Sequence, residues 1–133
     1  MSEKKRTSVV TLHRRIQLCK ATSGGISAIS PITHVAFGDG GTDGDGKPIM
    51  PLETATALNN EIARYPINSV SYPIEPPTTA RYTVSIPEND MAGAKITEAA
   101  LVDSDGFLHA IKTFYVKQKD AEVVFTFVFD DEF

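Results

Sequence analysis

Hydrophobic and polar residues alternate along most of the second half of this chain, while the first half mixes that two-residue rhythm with helical spacing. Val9, Leu12, Ile16 and Cys19 recur at helical intervals, so the pattern predicts an N-terminal helix over 7–23. Thr7 or Ser8 is the expected cap and Gly24-Gly25 the stop. The β-branched Val9, Val10 and Thr11 leave an extended start as the alternative. Ile32 to Phe37 reads as a strand, with Ile32, His34 and Ala36 on one side and Thr33, Val35 and Phe37 on the other. Gly38 to Lys47 is a glycine-rich acidic loop. Ala55, Leu58, Ile62 and Tyr65 then share a helical face between Pro51 and Pro66, predicting a second helix at about 52–65.

From there the rhythm is that of strands. Ile67 to Tyr72 alternates, and Pro73 to Pro77 is a stiff connection. Arg81 to Ile86 places Tyr82, Val84 and Ile86 on one face. Lys95 to Val102 and Phe107 to Val116 flank Asp103-Ser104-Asp105-Gly106, a hairpin signal. Glu122 to Phe129 is so apolar that a central strand covered on both faces is expected. The fold class is therefore α+β: one domain over 1–133, mainly an antiparallel β-sandwich-like body, with an N-terminal helix and one inserted helix. Residues 1–6 are polar and expected to fray.

Composition narrows the function classes. The chain has 133 residues, 41% hydrophobic and 23% charged, which fits an ordinary globular domain. A net charge of -4 without a long basic run gives no electrostatic footprint for nucleic acid. Basic residues gather at the start (Lys4, Lys5, Arg6, Arg14, Arg15, Lys20) and acidic ones at the end (Asp130, Asp131, Glu132), the usual signature of solvated faces. A single cysteine, Cys19, excludes an internal disulfide and a cysteine metal cluster. No signal peptide is visible, because His13-Arg14-Arg15 interrupts the apolar run that follows the basic start, and no stretch is long enough for membrane insertion.

Candidate chemistry is sparse. Asp39, Asp43 and Asp45 between glycines invite a calcium reading. With Gly46 in the EF-hand glycine position, Asp43 and Asp45 fit, but Gly41 and Leu52 occupy the first and last ligand positions. His13, His34 and His109 show no metal-ligand spacing, and no nucleophile elbow accompanies them, so no catalytic residue is assigned. His34 and His109 read as hydrogen-bonded sheet residues. Gly38-Asp39-Gly40-Gly41 lacks the frame of a phosphate loop, and no cofactor is expected. The aromatic residues follow strand alternation, which makes Phe125, Phe127 and Phe129 either core or a subunit interface.

Taken in order, several segments resemble the phage tail-collar fibre family, the N-terminal domain of tail fibres in contractile-tailed phages. They are Gly24-Gly25, the strand Ile32 to Gly40 ending in Ala-x-Gly-Asp-Gly, and the Pro48 and Pro51 loop leading to Thr56-Ala57-Leu58, Glu61-Ile62 and Arg64. The extended Tyr82 to Pro87 and the glutamate-bearing Ile96 to Leu108 with its Asp-x-Asp-Gly turn complete the pattern. Similar proteins often carry a Gly-Gly-Phe-like segment where this chain has Glu88 to Gly93. They also continue into a shaft and receptor-binding tip. This sequence stops at Phe133, as a stand-alone protein, a truncated fibre or a collar element without a shaft would. The resemblance implies a non-enzymatic virion component, assembled in the bacterial cytoplasm and located in the tail. Its implied partners are baseplate or tail fibre proteins, and it is expected to form a homo-oligomer, a trimer in particular. The alternative from the residues alone is a small carbohydrate- or calcium-binding β-sandwich module.

Overall fold

The structure, a computed structural model, describes residues 7–133. The frayed start expected for 1–6 lies outside the described residues. Strand β1 (Ser8–Val10) leads into helix α1 (Leu12–Thr22), and seven more strands follow: β2 (Ile32–Gly38), β3 (Glu61–Pro66), β4 (Ser69–Ser71), β5 (Thr79–Ile86), β6 (Lys95–Asp103), β7 (Leu108–Gln118) and β8 (Phe125–Glu132). They form a five-stranded sheet in the order β1-β7-β6-β2-β3 and a three-stranded sheet in the order β4-β5-β8. Every strand pairing is antiparallel.

One core lies where residues of both sheets meet: Val35 and Phe37 of β2, Ile96, Ala99 and Leu101 of β6, Val84 and Ile86 of β5, and Phe127 and Phe129 of β8. The opposite face of the larger sheet buries Ala36, Ala100, Val102, Leu108 and Ile111 under Leu58, with Val9 and Ala55 packed alongside. The strands expected at β2 and β5 and on either side of the 103–106 turn are present, and Tyr82, Val84 and Ile86 share the core face. In β2 a register shift between Ile32 and His34 turns Ile32 to the side of Val35 and Phe37, not to that of Ala36 as expected. The hairpin turn uses Gly106 at φ +90°, a left-handed backbone that glycine adopts without a Cβ penalty.

Three expectations are corrected. The stretch 52–65 contains no helix: residues 51–60 form turns, and Glu61–Pro66 is edge strand β3 on β2. The helical spacing of Leu58, Ile62 and Tyr65 was coincidental, because β2 presents an unpaired edge that β3 satisfies. The N-terminal helix begins later than expected. Val9 and Val10 pair with Ile111 and Ala110, and Thr11, not Thr7 or Ser8, caps α1 by accepting a hydrogen bond from the Arg14 N–H. The β8 segment is not central. It is the edge of the smaller sheet, with Val124 and Val128 about half exposed. The strand covered on both faces is β6, in which every residue from Ile96 to Asp103 is buried.

Candidate functional site

Two buried polar clusters hold the segments that carry the sequence pattern. The first is centred on Glu98 of β6, whose carboxylate is 1% exposed. Its Oε1 accepts the N–H of Asn59, and its Oε2 accepts those of Asn60 and Gly40, each at 2.9 Å. One side chain thus fixes both the Gly38–Gly41 turn and the Asn59–Asn60 corner that starts β3. The glycines are required by crowding around this clasp. A Cβ on Gly38 would come within 2.5 Å of the Asn60 carbonyl and of Glu98 Oε2, and one on Gly41 would overlap the Thr97 carbonyl. The Gly41 N–H is bound by Thr97 Oγ1 at 2.9 Å, so neighbouring β6 side chains serve the same loop.

The second cluster runs from the hairpin turn through α1 to the other sheet. Asp103 Oδ1 accepts the N–H groups of Asp105 and Phe107, closing the turn, and Oδ2 lies 2.8 Å from His109 Nε2. Arg14 Nε donates to His109 Nδ1 at 3.1 Å, while Arg14 Nη1 and Nη2 bind both oxygens of Asp131 at 2.6 and 2.7 Å. Thr11 Oγ1 donates to the Leu108 carbonyl, tying the start of α1 to β7. Because a guanidinium N–H cannot accept, Nδ1 of His109 is the unprotonated nitrogen and Nε2–H donates to Asp103. Burial holds the His109 pKa below its ordinary value, and the Arg14 charge adds to this against the opposing pull of Asp103. Burial alone would raise the Asp103 pKa, but the Phe107 N–H, the His109 bond and the Asp105 N–H outweigh it and leave it lowered.

The expectation that Arg14 and Asp131 belong to solvated faces is corrected: they are 5% and 3% exposed and paired with each other. Alternation along β8 explains the difference, since Asp130 faces outward to Arg81 and Asp131 inward to Arg14.

His13 approaches the same Asp103 oxygen at 3.6 Å, so His13, Asp103 and His109 are the one group of metal-capable side chains among the described residues. Their hydrogen bonding disfavours a cation. With Nδ1 accepting from Arg14, a metal on Nε2 would require an imidazolate beside a guanidinium. For the same reason neither ring nitrogen of His109 is available as a general base.

The other sequence candidates lie apart. Asp39 binds Asn60 Nδ2, and Asp43 Oδ1 accepts the N–H groups of Asp45 and Lys47 within its own loop. These aspartates form no three-ligand group among the described residues. The His34 ring nitrogen Nδ1 lies 2.8 Å from Oγ1 of its neighbour Thr33. Phe127 and Phe129 sit in the inter-sheet core, with Phe125 partly buried against it. Sequence reasoning missed Glu98, Asp103, Arg14 and Asp131. For Glu98 the available signal was a charged residue inside a strand otherwise largely apolar on both faces, since such a group must find partners on burial.

Among the described residues no helix is long and apolar enough to cross a membrane. No curated protein and no solved structure matches the chain. The family model of the phage tail-collar fibre protein, N-terminal, matches residues 2–124, a span that includes the Glu98 clasp and the Asp103–His109 turn. The chain therefore belongs to the phage tail-collar fibre protein family, a family of structural tail components.

Proposed function

We propose that this domain is an attachment module that docks a fibre or collar element on the tail baseplate and assembles as a homotrimer within the virion. The observation that supports the reading best is where the buried polar groups act. Glu98, Asp103, Arg14 and Asp131 all satisfy backbone or side-chain partners inside the fold, so they set its shape. A rigid scaffold of this kind suits a part that transmits position, not one that turns over substrate. Immunogold labelling of tails assembled with the wild-type gene is expected to mark the baseplate end, and light scattering of the purified protein is expected to give three copies. Tails that assemble and adsorb normally without the protein would overturn the reading.

A further inference from the structure

Helix α1 is mounted the wrong way round for a helix that serves its own core. Its buried side carries Arg14, with His13, Gln17 and Ala21 partly covered, whereas Leu12 and Ile16 are 41% and 42% exposed and Cys19 is exposed. At 3.6 residues per turn, Leu12, Ile16 and Cys19 fall within about 60° of one another, roughly opposite the buried side. Their spacing is that of a coiled-coil seam. The helix is nevertheless held firmly, by the Thr11 cap, the Arg14–Asp131 pair and the bond from the Leu12 N–H to the Glu53 carbonyl. No second helix exists among the described residues to cover the seam.

Charge decides what kind of surface fits. Arg15 and Lys20 flank the stripe, each about 40° beyond its edge. The helix contains no acidic residue. A second copy would place Arg15 against Lys20 in a parallel pair and like against like in an antiparallel one, which disfavours self-association here. The Arg15–Glu53 pair is about 60% exposed on both sides and so exchangeable for a partner's carboxylate. A stripe this narrow also suits a helix seam better than a membrane surface, which favours a broad apolar face.

We infer that α1 is a docking helix for a different protein: an amphipathic helix with an apolar seam flanked by Asp or Glu. This deepens the attachment reading and rests on it. The test uses two synthetic helical peptides with the same Leu/Ile seam, one flanked by Glu and the other by Lys, titrated into the full chain by calorimetry. The Glu peptide is expected to bind at least about tenfold more tightly than the Lys peptide. Ile16→Asp should abolish binding while leaving the thermal midpoint unchanged, and the double change Arg15→Glu with Lys20→Glu should reverse the preference. Equal affinity for both peptides, or binding of neither, would overturn the inference. So would self-association that Ile16→Asp dissolves, or tighter binding to phosphatidylglycerol vesicles than to the Glu peptide. Correct tail labelling with no peptide preference would remove the helix assignment alone. Peptide preference without tail labelling would remove the baseplate assignment alone.

Discussion

At the scale of single residues, the family motifs act through sterics and hydrogen bonding. Glu98→Gln keeps one acceptor but turns an NH₂ group toward backbone donors, so a loss of about 1–3 kcal/mol is expected in urea unfolding. Gly41→Ala should cost a similar ~1–3 kcal/mol through overlap with the Thr97 carbonyl. His109 and Asp103 give the protein a two-stage acid sensitivity. The folded state holds His109 neutral, with its pKa lowered, so the unfolded chain takes up the proton first as pH falls. Stability should therefore decline below about pH 6.5. The Asp103 pKa is also lowered, so its contribution is present above about pH 3.9 and disappears as pH falls through the folded value. Unfolding free energy measured against pH should show both stages, and His109→Gln should remove the first. Nitrogen chemical shifts near neutral pH should report the Nε2–H tautomer.

Among the elements, β8 shows how a segment apolar at successive positions is divided between core and solvent. In β8 one register faces the shared core and the other faces solvent. Phe127→Ala is expected to cost about 3–5 kcal/mol because it opens a cavity against Phe37 and Phe114. Val128→Thr, at an outward position, should stay within about 0.5 kcal/mol. Thermal melts of the pair distinguish a two-sided central strand, which predicts large losses from both, from the edge strand described above. The strand buried on both faces, β6, disguised itself by carrying Thr97 and Glu98, polar residues that become acceptable only when a loop supplies donors.

For the whole molecule, the Arg14–Asp131 pair connects α1 on the larger sheet to β8 of the smaller one. Arg14→Met leaves Asp131 buried without its counter-charge and should cost about 3–5 kcal/mol. Adding Asp131→Leu should recover much of that loss, because the orphaned charge goes with it. A double-mutant cycle by chemical denaturation measures this coupling. Strong non-additivity is expected, whereas independent losses would mean that the sheets are held together by the apolar core alone.

Alternation, turn residues and motif order determined a good deal by themselves: β2, β5, the β6–β7 hairpin, the Gly24-Gly25 stop and the family all follow from the order of side chains along the chain. The elements among these are local features, fixed by backbone sterics and by side chains two to four positions apart, while the family follows from the order of the segments. Tertiary structure alone decided that the 52–65 periodicity gives way to an edge strand, and that Asp131 of an acidic tail meets Arg14 of a basic helix. It also decided that α1 turns its apolar stripe outward. Each of these depends on which distant backbone edge or charge lies opposite, and no local pattern encodes that.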